Sequence, residues 1–439
     1  MRFRPNYLLT ALLVAGSSFL SACGGGGGGG ELAADGAPTS ASAQGQASPN
    51  PAAPEIAAVT AGSKIAYPFG SRLAPYVAGI TPTVSTQATQ DELIRKQYDN
   101  WKAKIVQARC GGYVVTFNST YATVSEGAGY GMLLSVQMAG HDSQAKDLFD
   151  GLFRVARSHP ATGTQYPALM DWRVNADCSP GGGGGWNAMD GDLDIAMALL
   201  MADKQWGSSG TVNYKAEALR TIAALKAYNM SPVAHTKGLP NSANNRTSDF
   251  MITHFKAFKR ATNDAFWDAA SDRAFDLLDM LQAKYSPDTG LIPDFVIDVA
   301  SNPAPSTGYI ADGNAFEGFY YWNASRIPWR LAADYVTSGD ERSKKVTSKM
   351  IDFFQKTSGG NPAKIKSGYK LDGSSTGNGD FASPAFIGPA TAGAMVDAKF
   401  QPFLNSLWSY SGDNLSTSYY DSELQLLSLI VASGNWWTP

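Results

Sequence analysis

The sequence of 439 residues predicts an all-α fold in which twelve helices form six hairpins closed into a double ring, an (α/α)6 barrel. Apolar residues recur with helical spacing in twelve segments, whereas alternating strand patterns are few, the clearest covering residues 113–117. Twelve helices in one domain suggest six hairpins, and a closed ring of hairpins buries the apolar faces of all of them.

The twelve helical segments are expected to begin near Gln90, Gly127, Ser143, Gly191, Asn213, Asp249, Asp264, Pro328, Gly339, Pro384, Lys399 and Tyr419. Start signals support two of them: Ser325 is an N-cap candidate with Pro328 in the first turn, and Ser383 precedes Pro384. In a closed ring the alternate, inner helices run parallel, so their N-termini meet at one end. The even-numbered segments therefore predict a polar cluster at that end, formed by Glu126, Asp190, Asp249, Arg326 and Tyr419 or Tyr420.

The N-terminus has the features of an export signal. Arg2 and Arg4 precede an apolar stretch over residues 7–20 that is too short to span a bilayer. The stretch ends in Leu-Ser-Ala-Cys, which resembles the bacterial lipobox and would make Cys23 the lipidated first residue. An ordinary signal peptide with a chance cysteine is the alternative. The residue after Cys23 is Gly24 and not aspartate, which in a Gram-negative cell resembles a signal for the outer membrane. Whether the anchored domain would face the periplasm or the outside stays open.

The chain divides into three regions by composition. Residues 1–22 are the predicted signal peptide, and residues 23–62 are rich in Gly, Ala, Ser and Pro, which cannot bury enough apolar surface to fold. That second region is expected to be a flexible tether that carries the lipid. Residues 63–439 have globular composition and are expected to form one domain, which we take to be monomeric.

Charge and residue usage exclude several classes of function. The net charge of −3 argues against a basic face for nucleic acid. No two of the four histidines are spaced as a helical metal pair, so a histidine-based metal site is not expected. No cofactor or other metal is expected either. If Cys23 is acylated, Cys110 and Cys178 remain, and export makes a disulfide between them permissible. Two free thiols are the alternative.

Three carboxylates are the most informative feature, because each opens an apolar helical segment. Glu126, Asp190 and Asp249 would converge on one cleft, and convergent carboxylates are the usual equipment for glycosidic bond hydrolysis. Each could instead be only a helix-start cap. Asp190 and the nearby Asp192 and Asp194 also suggest a calcium loop, but Ile195 and Met201 stand where that loop needs glycine and glutamate. Asp192 and Asp194 are therefore expected to be structural.

Four segments in order are informative together: Ser-Glu-Gly-Ala-Gly-Tyr-Gly-Met at 125–132, the segment 188–206, Ala-Ser-Arg-Ile-Pro-Trp-Arg at 324–330 and Ser-Gly-Asn-Trp-Trp at 433–437. They resemble segments of glycoside hydrolase family 8, a group of inverting, endo-acting enzymes on an (α/α)6 barrel. Met189 departs from the family, which usually has Ser or Thr there. The resemblance covers roughly residues 80–439.

The resemblance implies a role for each candidate residue. Glu126 would be the general acid, Asp249 the general base that activates water, and Asp190 the group that grips and distorts the sugar at the cleavage subsite. Candidates for substrate binding are Trp172 as a stacking platform, Tyr130 and Tyr420 as further stacking rings, and Arg326 as a donor to sugar hydroxyls. For any single aromatic residue, core packing is the alternative.

The expected function is therefore an endo-β-1,4-glucanase acting on cellulose or mixed-linkage β-glucan. The setting of Asp249 resembles that of cellulases, lichenases and chitosanases more than xylanases, so chitosan is the nearest alternative substrate. A non-catalytic glycan-binding lipoprotein is the alternative from another class. In each case the partner is a β-glycan polymer, and the only membrane contact is the lipid anchor.

Overall fold

The fold was taken from a computed structural model that describes residues 65–181, 185–238, 244–311 and 313–439. The predicted signal peptide, Cys23 and almost all of the tether lie outside the described residues. Within the described chain no helix combines the length and apolar character needed to cross a bilayer.

Twelve α-helices occur in the described residues, and each begins within three residues of its predicted start. The largest differences are Gln87 against Gln90 and Ile252 against Asp249. The helices are α1 (Gln87–Ile105), α2 (Ser125–Gln137), α3 (Ala145–Ser158), α4 (Met189–Trp206), α5 (Tyr214–Asn229), α6 (Ile252–Thr262), α7 (Phe266–Tyr285), α8 (Ile327–Ser338), α9 (Glu341–Ser358), α10 (Pro384–Gly393), α11 (Gln401–Asp413) and α12 (Tyr419–Ala432).

The even-numbered helices form a closed inner ring, because each contacts the next and α12 contacts α2. Each odd-numbered helix from α3 to α11 packs outside the helix before it, and α1 packs outside α12. Burial agrees with these positions: every residue of α2 is buried, whereas α9 buries one face only. The (α/α)6 barrel predicted from the sequence is thus confirmed.

The start signals gave one correct and one wrong prediction. Ser383 caps α10 by accepting a hydrogen bond from the Ala385 N–H. Ser325 lies instead within a 3-10 turn (Ala324–Arg326) that precedes α8, and its hydroxyl donates to the carbonyl of Trp322. The chain enters α8 already coiled, so no side-chain cap forms there.

Seven short strands lie in the described connections between helices. They are β1 (Val106–Arg109), β2 (Gly112–Val115), β3 (Tyr121–Val124), β4 (Arg173–Asn175), β5 (Asn245–Arg246), β6 (Phe295–Ile297) and β7 (Ala304–Pro305). They pair antiparallel as β1–β2, β3–β4 and β5–β6–β7. The strand predicted at 113–117 corresponds to β2, which ends two residues earlier.

A disulfide joins Cys110, in the turn between β1 and β2, to Cys178, which follows β4. The pairing that export permitted is therefore present in the structure. It ties the hairpin to the connection between α3 and α4, which contains Trp172, β4 and Cys178.

The chain before α1 runs beneath the C-terminal ends of the inner helices. The N–H groups of Phe69, Val77 and Ile80 donate to carbonyls at or just past the ends of α2, α8 and α10. This segment closes one end of the barrel, and the N-terminal ends of the inner helices form the other.

Candidate active site

Two of the three predicted carboxylates sit at the second residue of neighbouring inner helices. Glu126 lies in the first turn of α2 and Asp190 in the first turn of α4. The two helices approach closely because Gly191 has no side chain: a Cβ atom there would lie 2.5 Å from the backbone of Ser125. The glycine after Asp190 therefore brings the two carboxyl groups to one place.

Arg326 links these two carboxylates. Its Nη1 atom donates to Glu126 Oε2 at 2.8 Å and to Asp190 Oδ2 at 2.7 Å. Its Nη2 atom donates to Ser248 Oγ at 2.7 Å and to Asn323 Oδ1 at 2.9 Å. The 3-10 turn before α8 directs this guanidinium across the mouth of the barrel.

A second arginine links Asp190 to the third carboxylate. Arg246 of β5 lies 2.6 Å through Nη2 from Asp190 Oδ1 and 3.0 Å through Nε from Asp249 Oδ1. The resulting series of Glu126, Arg326, Asp190, Arg246 and Asp249 is called here the carboxylate–arginine chain. It joins the starts of α2 and α4 to the segments that precede α6 and α8.

Asp249 is not at the start of a helix, as the sequence predicted, but at the end of a 3-10 turn (Thr247–Asp249) ahead of α6. A position in the first turn of a helix would favour its ionised form through the helix dipole, and Asp249 does not have that position. Arg246 supplies the favourable positive charge instead.

The environment separates the acidities of the three carboxyl groups. Burial raises the pKa of Glu126 to about 7, with a further contribution from the negative charge of Asp190, against the opposing effects of Arg326 and Tyr419. Burial likewise raises the pKa of Asp249 to about 6, although Arg246 opposes it. Burial also acts on Asp190, but Arg246 and Arg326 together outweigh it and hold the pKa of Asp190 below its usual range. Near neutral pH the site thus holds one proton-bearing acid beside an ionised neighbour.

Two of the predicted sugar-binding residues are buried next to the carboxylates. Arg326 and Tyr130 have no exposed surface, and the Tyr130 hydroxyl lies 3.4 Å from Arg326 Nη1. A fully buried ring offers no face to a sugar, and the donors of Arg326 point to protein groups. Direct contact with substrate, expected from the sequence, does not fit either residue in this structure.

The other two predicted sugar-binding residues are partly exposed. The Trp172 carbonyl accepts from the Ser125 N–H at 2.9 Å, which places this tryptophan beside the start of α2. Its indole stacks under the guanidinium of Arg173, 4.5 Å from the ring centre. Tyr420 lies on α12, and its hydroxyl donates to the Trp322 carbonyl at 2.6 Å.

Tyr419, the neighbour of Tyr420, contacts the predicted acid. Its hydroxyl donates to Glu126 Oε1 at 2.9 Å, and its ring packs edge-on against Phe117. The sequence prediction named Tyr419 or Tyr420 in the polar cluster but gave a role to Tyr420 alone, and it passed over Arg246. The signal that could have found Arg246 is its position three residues before Asp249.

A further carboxylate, missed from the sequence, lies in the loop between α7 and α8. Glu317 is buried; it accepts hydrogen bonds from Ser306 Oγ at 2.8 Å and from the N–H groups of Ile310, Ala311 and Gly313 at 2.9–3.1 Å. Its carbonyl accepts from the N–H of Phe295 in β6, the strand that pairs with β5. Glu317 is therefore held near the strand that carries Arg246.

Asp192 and Asp194 have structural partners. Asp192 accepts from the Met170 N–H and from Asn187 Nδ2. Both Asp194 oxygens accept from Arg330, at 2.7 and 2.6 Å, and Oδ1 lies 2.8 Å from His254 Nε2. No group of three or more potential metal-ligating side chains occurs in the described part of the chain.

Comparison with known proteins identifies the family. The sequence model described as glycosyl hydrolases family 8 matches residues 73–434, more than four-fifths of the chain. The protein belongs to this family. A β-glucanase of Niallia circulans is 39% identical over 372 residues, which cover 83% of this chain and 90% of that protein. An endoglucanase of Bacillus sp. (strain KSM-330) is 36% identical over 399 residues, covering 87% and 84%.

Solved structures agree with the barrel. The apo structure of a β-1,3-1,4-glucanase from Paenibacillus sp. X4 superposes with a TM-score of 0.81 at 37% identity, covering 85% of this chain and all of that one. The exo-oligoxylanase Rex8A from Paenibacillus barcinonensis superposes with a TM-score of 0.67 at 20% identity, covering 81% and 97%. The second similarity concerns the fold alone.

Proposed function

We propose that the protein is an inverting endo-β-1,4-glucanase that cleaves cellulose chains or mixed-linkage β-glucan. The observation that carries the proposal is the carboxylate–arginine chain, which holds a protonated and an ionised carboxyl group at one mouth of the barrel. The names of the β-glucanase and endoglucanase relatives support a glucan as the substrate.

In this reaction Glu126 donates its proton to the glycosidic oxygen as the bond from that oxygen to the anomeric carbon breaks. Asp249 takes a proton from a water molecule, whose oxygen attacks the same carbon from the opposite face. The products are two shorter chains, and the new reducing end has inverted configuration. Before the next cycle, Asp249 releases its proton to solvent and Glu126 takes up a proton from solvent.

The other residues of the site prepare this step. Asp190 stays ionised, so it accepts hydrogen bonds from the sugar at the cleavage subsite, and its charge disfavours ionisation of Glu126. Arg326 and Tyr130 act as positioning residues for Glu126, since Arg326 donates to its carboxylate and also contacts the Tyr130 hydroxyl. Trp172 and Tyr420 contribute stacking faces.

The first test is release of reducing ends by the purified protein from mixed-linkage glucan, carboxymethylcellulose, xylan and chitosan. We expect activity on the two glucans, loss of at least about a hundredfold in kcat for Glu126→Gln, and little change for the surface control Glu341→Gln. Proton NMR of the first products is expected to show the α-anomer. Appearance of the β-anomer would refute inversion, and full activity of Glu126→Gln would refute the assignment of the acid.

The base is tested by chemical rescue. Asp249→Ala removes the carboxylate that activates water, and added azide, a small anionic nucleophile, is expected to restore cleavage of an activated substrate. Glu317→Ala is the comparator, because that carboxylate is also buried and lies near the strand of Arg246. Rescue of Glu317→Ala but not of Asp249→Ala would transfer the role of base to Glu317.

The alternatives give distinct outcomes in the same panel. Hydrolysis of chitosan alone would keep the mechanism and change the substrate. Binding of glycans by a folded protein that cleaves none of them would favour a surface glycan-binding lipoprotein.

We also propose that the protein is exported and held at the outer membrane through lipid on Cys23, as a monomer. The composition of residues 1–62 supports this arrangement. Cys23→Ser is expected to move the protein from the membrane to the soluble fraction. Unchanged fractionation would contradict the anchor, and light scattering of the released protein tests the monomer.

A further inference from the structure

A row of aromatic rings leads away from the predicted acid along one side of the barrel mouth. Tyr419, which donates to Glu126, contacts Tyr420, followed by Trp322 and Phe381. The successive ring centres lie 6.4, 6.0 and 6.5 Å apart. We call these four rings the aromatic row.

Exposure increases at the outer end of the row. Tyr419, Tyr420 and Trp322 are partly exposed, whereas 54% of Phe381 is exposed, an unusual extent for such a large apolar side chain. Isolated exposed apolar residues need no explanation. Phe381 differs because it ends a continuous series of rings that starts at the reacting carboxyl group.

The backbone of Phe381 is held in place, so the exposed ring does not sit on a loose loop. Its carbonyl accepts from both the N–H and the Oγ of the buried Ser367, at 2.9 and 2.8 Å. Two residues further on, Ser383 caps α10. An aromatic side chain on a fixed backbone has only two torsions to order, so it loses little conformational entropy when a ligand binds.

Polar groups stand next to this ring. Asp380 pairs with Lys366 at 2.8 Å and accepts from Ser375 Oγ at 2.8 Å. All three belong to the loop before α10 that also carries Phe381. Apolar faces beside hydrogen-bonding groups match a pyranose ring, which presents C–H faces and a rim of hydroxyls.

We propose that Phe381 is an outer sugar-binding platform of the cleft, which stacks on a glucose unit remote from the bond that is cleaved. The proposal rests on the proposed function, because it assumes a β-linked glucan in the cleft. A remote platform binds only chains long enough to reach it. Phe381 therefore favours polymers and long oligosaccharides over short ones.

The test compares substrates of two lengths. For Phe381→Ala we expect KM on a glucan polymer to rise about three- to tenfold, the range given by one aromatic contact. Its kcat on the polymer, and its kcat/KM on the shortest cello-oligosaccharide that the wild type cleaves, should stay unchanged. Phe381→Trp should restore the polymer KM, which a merely structural role would not require.

Leu73→Ala is the matched control. Leu73 is 62% exposed and lies beside Arg72, whose guanidinium donates to the Ser433 carbonyl past the end of α12, so it is at the opposite end of the barrel. It should leave KM for both lengths at the wild-type value. Equal KM values for wild type and Phe381→Ala on the polymer, or equal losses on both lengths, would overturn the proposal.

A binding measurement separates this proposal from the proposed function. Glu126→Gln and Glu126→Gln/Phe381→Ala are titrated with cellohexaose and with cellotriose by calorimetry. A weaker affinity of the double variant for cellohexaose alone supports the platform, and equal affinities refute it. A wild type that cleaves no β-glucan would instead refute the proposed function, whatever the two titrations show.

Discussion

Replacement of Tyr419 by phenylalanine should move the alkaline limb of the activity profile to higher pH. With Glu126 as acid and Asp249 as base, kcat/KM follows a bell whose limbs lie at about 6 and about 7. Activity falls below the lower limb because the base becomes protonated, and above the upper limb because the acid loses its proton. The Tyr419 hydroxyl donates to Glu126 Oε1 at 2.9 Å, and this bond favours the ionised acid.

The size of the shift follows from the difference between two hydrogen bonds. A bond to an ionised group stabilises by about 1.5–3 kcal/mol and one to a neutral group by about 0.5–1.5 kcal/mol. The variant thus loses about 1–1.5 kcal/mol of preference for the anion, which is about one pKa unit. The upper limb should move from about 7 to about 8, while the ring keeps its packing on Phe117.

The assay is kcat/KM on a soluble mixed-linkage glucan across the pH range in which the protein stays folded. Tyr420→Phe is the control, since its hydroxyl donates to a backbone carbonyl and not to the acid. It should leave the alkaline limb at the wild-type position, whatever its effect on the rate. An unchanged or lowered alkaline limb in Tyr419→Phe would refute either the hydrogen bond or the assignment of Glu126 as the titrating acid.

Two further predictions concern the scaffold. Replacing both Cys110 and Cys178 by serine opens a link across 68 residues, which should lower the free energy of urea unfolding by about 4 kcal/mol, and a reductant should do the same to the wild type. Gly191→Ala puts a Cβ atom 2.5 Å from the backbone of Ser125, so it should destabilise the fold by about 1–3 kcal/mol and reduce kcat, whereas Gly210→Ala, with open space around it, should do neither. A melting temperature and kcat of Gly191→Ala equal to those of the wild type would contradict the close helix approach.

The barrel was predictable because its evidence is repeated along the chain. A closed inner ring requires alternate helices that are apolar on nearly every side, and such segments stand out in the sequence. The start of α6 was predicted three residues early, because a 3-10 turn precedes that helix. Asp249 and Arg326 both occupy such turns, so their segments lead into α6 and α8 without forming their first α-helical turn.

The roles of individual side chains were less predictable, because they depend on helix rotation and on closure of the ring. Adjacent helical residues point about 100° apart, so only the rotation of α12 decides that Tyr419, and not Tyr420, contacts Glu126. Arg326 was located correctly in the cluster. It is buried among groups of α2, α4 and the turn before α6, which are distant from it in sequence, and no local pattern encodes that.

The charges of the carboxylate–arginine chain explain why one carboxyl group keeps its proton. Three ionised carboxylates and two guanidinium groups would leave a buried net charge of −1, which is costly in a medium of low polarity. One bound proton makes the set neutral. Asp190 gives up its proton first, because it alone contacts both arginines. Glu126 and Asp249 each contact one arginine, and Glu126 has the higher pKa of the two. The proton therefore resides mainly on Glu126, the carboxyl group that must donate it to the leaving oxygen.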